Sequence, residues 1–425
     1  MPPGGKPRVR AGNRHAEVSD LAYLKIKDSK KEAEKAARRE AEQARRREKA
    51  ADFDLQQATL NIFKHAFSEV LSDGEELGRL LQEVKAALFA REFERAFGSE
   101  SYLEAYASRW SPTRSLAYEG VLRDVAGHIK HLYVERTEEV VKDEVGGDEE
   151  AGMVEAEKQD EAKVEQEVDD TAREVEKITL ADTKPDEASP QPPKATTTRH
   201  IPLLSIGGGA AELVAFASYL GRNQPSSLPP ASGQITLLDS APWSSVVDKL
   251  YAQLTIPPPL PKYASAAIKA ANLPLIPPSR LTSSFIQYDV LSLPKDKLAE
   301  LVGTQPLLLT MLFTLNELFT QAGIGATTKF LLELTAVSPI GTVLLVVDSP
   351  GSYSETTVGK SSKKYPMQWL MDKVLSSVDG ERKWNKLESN ESLWYRLSDG
   401  LEYPIQLENM RYQMHVYKLE TGDGA

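Results

Sequence analysis

From residue 199 onward the chain alternates short apolar runs with longer amphipathic stretches. The runs at 203–206, 235–238, 284–288, 306–313 and 341–347 are mostly uninterrupted, the pattern of strands buried on both faces. Between them, 212–220, 244–254, 295–302, 317–320 and 327–338 repeat apolar positions every three or four residues and read as helices. A further helix is expected at 366–377, then two strand-like segments at 392–397 and 410–419 that suggest an antiparallel hairpin closing the sheet. The alternation predicts an α/β domain with a doubly wound parallel sheet.

Residues 52–134 carry only the helical period. Phe53, Leu55, Leu60, Phe63, Phe67, Val70 and Leu71 follow it, and a second helix is expected over 75–97 with Leu77, Leu80, Leu81, Val84, Leu88 and Phe89 on one face. Two more are expected at 102–110 and 115–132, with Ser111 able to cap a helix whose first position is Pro112. Residues 29–50 are almost wholly Lys, Arg, Glu, Ala and Gln without an apolar stripe, so they form a solvated helix or a disordered arm. Residues 135–198 are acidic, then rich in Pro and Thr, and read as a disordered linker. Four regions result: an arm over 1–51, a helical region over 52–134, the linker over 135–198 and an α/β domain over 199–425.

The chain has no cysteine, which excludes disulfides, zinc–thiolate sites and iron–sulfur clusters and fits a reducing compartment. No apolar run reaches the roughly 18 residues a bilayer span needs. The basic start has no apolar core of a secretory signal, and a soluble intracellular protein is expected. The net charge of −11 hides a contrast of +7 over residues 1–50 and −13 over 135–198. The basic arm suggests a polyanion partner. The cluster Arg45-Arg46-Arg47 suits RNA binding or nuclear targeting, beside the plainer reading of a charged arm without a specific partner.

The candidate chemistry begins where the first strand ends. Gly207-Gly208-Gly209-Ala210 joins strand to helix, a turn that brings backbone close to a nucleotide-bearing cofactor. Asp239 ends the second strand, where a carboxylate can accept two ribose hydroxyls, and Asp289-Val290 follows the third. Dinucleotides and S-adenosylmethionine both use this layout. Glu212 stands where the dinucleotide fingerprint wants a third glycine, and its charge would oppose a pyrophosphate. S-adenosylmethionine has no phosphate. In methyltransferases an acid placed like Asp289 accepts from the adenine amino group and an apolar residue like Val290 packs on the ring. Ser205 departs from the usual pattern, which has an acid two residues before the first glycine, and Ala211 replaces the last glycine. The expected fold is a Rossmann-like, seven-stranded class I methyltransferase sheet behind an all-helical N-terminal region.

The stretch Ser205-Ile-Gly-Gly-Gly-Ala-Ala-Glu-Leu-Val-Ala-Phe216, the segment Thr314-Leu-Asn-Glu-Leu-Phe319 and the upstream Arg109-Trp-Ser-Pro-Thr-Arg114 together resemble one fungal family, the large-subunit (25S) ribosomal RNA uridine-N3 methyltransferases. The resemblance covers roughly 52–134 and 199–425. It implies methylation of a uridine in ribosomal RNA. Ribosomal RNA or a pre-ribosomal particle would be the partner, and the nucleus or nucleolus, with the cytoplasm as a further place, the location, with no membrane and no metal. A monomer is expected.

Methyl transfer to pyrimidine carbon 5 uses a cysteine nucleophile, so that route is closed; a ring nitrogen or ribose oxygen remains open. Uridine N3 carries a weakly acidic proton and calls for a base or a stabiliser of the uracil anion. Asn316 and Glu317, after the fourth strand, are the candidates, against a helix cap and an ordinary first-turn acid. Asp348 ends the fifth strand as either a turn residue or a substrate-facing acid. Lys360, Lys363 and Lys364 beside Tyr365 suit RNA contacts or a plain solvated loop. Arg109, Trp110 and Arg114 suit RNA contacts if the helical region covers the cleft, with Trp110 otherwise a core residue. The histidines show no metal spacing. Two rivals stay open: a methyltransferase acting on another RNA atom or a protein, and a non-catalytic assembly factor with a degenerate cofactor fold.

Overall fold

The computed structural model describes residues 14–138, 196–222, 228–351, 353–358, 361–376 and 382–422. Seven strands lie along one path: β1 (Thr196–Ile206), β2 (Ala231–Asp239), β3 (Leu281–Gln287), β4 (Leu308–Leu312), β5 (Val343–Asp348), β6 (Arg382–Tyr395) and β7 (Met410–Thr421). Their order is β3-β2-β1-β4-β5-β7-β6. β1 to β5 are parallel, and β7 runs antiparallel to both β5 and β6.

The two-residue period of the strands feeds two cores. Leu203, Leu308, Val343 and Leu345 pack into one, while Leu204, Leu309, Leu344 and Val346 pack into the other. Helices α6 (Lys295–Val302), α8 (Gly323–Val337) and α9 (Met367–Ser376) supply Leu298, Leu334 and Leu370 to the second core. The first core takes α4 (Ala210–Gly221) and α5 (Ser244–Thr255), and here the N-terminal helices join the sheet: α1 (Arg14–Ala66), α2 (Glu100–Arg109) and α3 (Ser111–Asp124).

Helix α3 is buried along most of its length, including Ser111, Thr113, Ser115, Ala117 and Glu119. Such a helix is sandwiched rather than amphipathic, and its small residues let it lie close to the alanine-rich α4. Ser115 Oγ donates to the Ala211 carbonyl at 2.8 Å, and Thr59 Oγ1 of α1 lies 3.0 Å from Ser218 Oγ. Arg222 pairs with the buried Glu119 and with Asp52. The described residues up to Glu135 and from Thr198 onward form one compact unit. The stretch Arg136–Thr197 is a second unit, whose described residues 136–138 and 196–197 are extended. Residues 139–195, most of the expected linker, and residues 1–13 of the expected arm lie outside the described residues. The remainder of the arm is helical from Arg14, and 34–51 are exposed throughout.

Four expectations need correction. The helix expected over 75–97 is Gly74–Phe89 followed by Phe93–Ala96, interrupted where Arg91 takes a φ of 59°. Ser111 is not a cap: α3 already includes it, and the capping position, Trp110, makes no side-chain bond. Residues 361–366 are not a loop but a strand paired with Tyr353–Val358. β6 starts at Arg382, before the expected 392, because it is an edge strand with Trp384 buried and Lys383 and Asn385 exposed, which reads as polar in sequence. Among the described residues no helix is long and apolar enough to cross a membrane.

Candidate active site

The glycine turn lies at the carboxyl end of β1, the central strand from which the order runs both ways. Gly207 has a φ of 72°, and a Cβ there would fall 2.2 Å from Thr314 Oγ1. A Cβ on Gly209 would meet the Trp243 ring at 3.0 Å. The glycines are thus needed for packing of the turn against its own fold as well as for any ligand approach. Ser205, where an acid was expected, is buried and accepts from Thr310 Oγ1 at 2.9 Å. The acid of this turn is Glu212, whose Oε2 accepts from the Gly209 N–H at 2.8 Å. Burial pushes the Glu212 carboxyl above its usual range, against the pull of that N–H and of Arg114.

Asp239 and Asp289 are brought to neighbouring strand tips, because the Tyr288 N–H donates to the Asp239 carbonyl at 2.8 Å. Their side chains differ. Asp239 is half-buried, accepts from the Ala241 N–H at 2.8 Å, and is raised by burial, with Glu212 adding, to about 7. Asp289 is exposed and closes its own turn through the Leu291 N–H and the Ser292 hydroxyl. Val290 is buried in the second core beside Leu238 and Leu298.

A second group gathers beyond β4 and β5. Phe313, a bulky residue, sits at a φ of 62°, a conformation that costs about 1–3 kcal/mol and persists only when neighbours enforce it. Its N–H donates to Val347 O at 2.7 Å and its ring lies under the Arg114 guanidinium, 4.6 Å from the centroid. That strained turn leads into α7 (Leu315–Gln321), which carries Asn316 and Glu317 in its first turn. The Asp348 carboxylate accepts from the Asn316 N–H at 2.9 Å and from its neighbour Ser349 N–H at 2.8 Å, holding the start of α7. Burial raises Asp348 to about 6 and Glu317 to about 8, the latter despite Arg114 and helped by Asp348 and Asp239. Asn316 Oδ1 and the Tyr118 hydroxyl are buried without a hydrogen-bond partner.

Arg114 reaches this site from α3 and bonds the Tyr106 hydroxyl of α2. The Tyr106 ring lies 5.9 Å from that of Trp243, which backs the glycine turn, and the Arg114 guanidinium lies over both Tyr106 and Phe313, so it links the two halves. Trp110 packs on Tyr106 at 5.1 Å, and Arg109 is engaged by Glu408 at 2.7 Å. Lys360 lies outside the described residues; Lys363 and Lys364 belong to the strand Ser361–Pro366, and their side chains lie outside the description too. Tyr106, Tyr118 and Phe313 were missed in the sequence because nothing local marks a residue that acts through distant packing. His128 contacts Glu388 and His131 contacts Gly341 O, accounting for both.

This sheet order, with an antiparallel strand inserted near one edge, a glycine turn after the central strand and an acid at the next strand tip, defines a class I methyltransferase that uses S-adenosylmethionine. The half-buried Asp239 and the unpartnered Asn316 Oδ1 and Tyr118 hydroxyl fit that cofactor and a polar acceptor beside it. Residues 63–418 match a family described as SAM-dependent methyltransferase, and the chain belongs to it. It is 30% identical over 389 residues to the 25S rRNA (uridine(2843)-N(3))-methyltransferase of Saccharomyces cerevisiae, covering 85% of each protein. Similar solved structures include the antibiotic-resistance methyltransferase Kmr, at 12% identity over 52% of this chain and 88% of that one with a TM-score of 0.28. The N-methyltransferase NodS from Bradyrhizobium japonicum WM9 is 10% identical over 51% of this chain and 77% of that one, with a TM-score of 0.25.

Proposed function

We propose that this methyltransferase modifies N3 of a uridine in large-subunit ribosomal RNA, and that it works in the nucleus or nucleolus. The observation that carries this reading is the site beyond β4 and β5, where one guanidinium, Arg114, stands among the carboxyls of Glu317, Asp348 and Glu212. The yeast relative, named for uridine-N3 methylation, supports the same acceptor.

Bound S-adenosylmethionine supplies an electrophilic methyl group. The chain's residues must hold it, hold the uracil in line, and remove the N3 proton. Asp239 accepts the ribose hydroxyls, with the turn Gly207 to Ala210 closing beneath and Asp289 and Val290 at the adenine end. Glu317 is the base: a carboxyl raised to about 8 is strong enough to take a weakly acidic imide proton near neutral pH. Loss of that proton spreads negative charge over O2 and O4, which Arg114 offsets in a partly dry site. Asn316, whose Oδ1 is buried without a partner, offers its amide to the uracil edge beside N3. Asp348 is a positioning residue that fixes the start of α7 and so the aim of Asn316 and Glu317. Arg109, Trp110, Lys360, Lys363 and Lys364 are assigned to the flanking RNA.

The test incubates the purified chain with S-adenosylmethionine and unmodified large-subunit ribosomal RNA, then digests the RNA for nucleoside mass spectrometry. The expected product is 3-methyluridine. A methyl group on another nucleoside refutes the N3 assignment, and cofactor binding without transfer refutes the catalytic reading.

A further inference from the structure

A cavity of about 620 Å³ opens beyond the carboxyl end of β5. Its walls include Pro350, Gly351, Trp369, Ser392, Arg411 and Gln413. Gln413 pairs in register with Asp348, and its Nε2 donates to Ser349 O at 2.7 Å. The cleft therefore starts one strand away, about 5 Å, from the acid that holds α7.

Its side chains are unusual for a solvent-facing edge. Trp369 is 49% exposed, with Tyr365 stacked on it at 5.1 Å and an interplanar angle of 18°. Arg411 is exposed, donates to Ser392 Oγ at 2.9 Å, and lies over the ring of Trp394, itself 55% exposed. Arg396 lies over the same ring at 5.5 Å. Of the acids in the wall, Asp372 is bonded by Lys386 and by the Tyr417 hydroxyl, leaving Glu391. An exposed ring already backed by a second ring, with guanidinium groups nearby, suits a nucleobase and its phosphate better than an apolar protein segment.

We propose that this cleft binds the nucleotide next to the methylated uridine, its base stacked on Trp369 and its phosphate held by Arg411. This deepens the RNA reading above and rests on it. The site selects single-stranded or looped RNA, because a base paired in a helix cannot present its face to Trp369.

The experiment measures binding of a uridine-containing single-stranded RNA oligonucleotide to the full chain with S-adenosylhomocysteine present, by fluorescence anisotropy. Trp369→Ala is expected to weaken RNA binding about tenfold, and Trp369→Phe to stay within about threefold of wild type. Arg411→Gln is expected to weaken it about fivefold and lower the salt slope by about one. Calorimetry should find S-adenosylhomocysteine affinity unchanged in all three; if Trp369→Ala fails to fold, the exposed Arg411 variant carries the test. Wild-type RNA affinity in folded Trp369→Ala or Arg411→Gln protein, with wild-type chain still methylating RNA, overturns the subsite alone. A wild-type chain that neither binds nor methylates RNA overturns the substrate reading and the subsite with it.

Discussion

The carboxyl edge of the sheet is built in two ways. Around β1 to β3 the groups proposed to hold the cofactor are set by local chain: a glycine turn, a strand-tip Asp239 tied to Ala241 two residues on, and Asp289 closing its own turn. Around β4 and β5 they are set from a distance: Arg114 comes from α3, it lies on a strained Phe313, and Asp348 holds a helix start 32 residues earlier in the chain. The first half is an instrument of backbone geometry and tolerates few changes of residue type. The second is an instrument of burial, where desolvated carboxyls and one cation tune each other. If so, changes on the substrate half should alter the rate of transfer, and changes on the cofactor half should alter affinity.

The sharpest break of that comparison is Glu317→Gln. It should slow single-turnover methyl transfer by about 10²–10⁴-fold, while calorimetric affinity for S-adenosylmethionine stays within about threefold. Arg114→Gln comes next, with an expected loss of about 10²-fold in transfer rate from the missing charge. A loss of cofactor affinity larger than the loss of rate would join Arg114 to the other half. Asp239→Ala should do the reverse, weakening cofactor binding by about tenfold or more through lost ribose hydrogen bonds. Equal affinities for wild type and variant would remove Asp239 from the cofactor site.

The smallest effect is on stability. Asp239, Glu317 and Asp348 sit at about 7, 8 and 6 in the fold, above their usual range. Between pH near 4 and near 8 the folded chain then holds more protons than the unfolded one. Their contribution is complete below that window and is lost as pH rises through it. The melting temperature of the ligand-free protein should therefore fall from pH 5.5 toward pH 8.5, by a few degrees on an order-of-magnitude basis. A rise over the same span would mean that these carboxyls ionise without strain.

The same contrast governs what could be read in the sequence. The inner parallel strands stand out because runs such as 343–347 are apolar at every position and buried on both faces. The glycine turn stands out because three glycines between strand and helix have few other uses. Asn316 and Glu317 could be singled out as candidates from their place after β4, but their surroundings were not legible: Tyr106 and Tyr118 look like ordinary core aromatics, and nothing in a phenylalanine announces a positive φ. The first ten residues of the edge strand β6 and the pairing of 353–358 with 361–366 were missed for the opposite reason, since half-exposed strands carry too many polar residues to show their period.

The most direct test of the account is the pH dependence of single-turnover methyl transfer to a uridine-containing RNA, with wild type and Glu317→Gln measured side by side. The account predicts a wild-type rate that rises with pH and levels off above about 8, where Glu317 is ionised, and no such step in the variant. Identical profiles in the two proteins would contradict it.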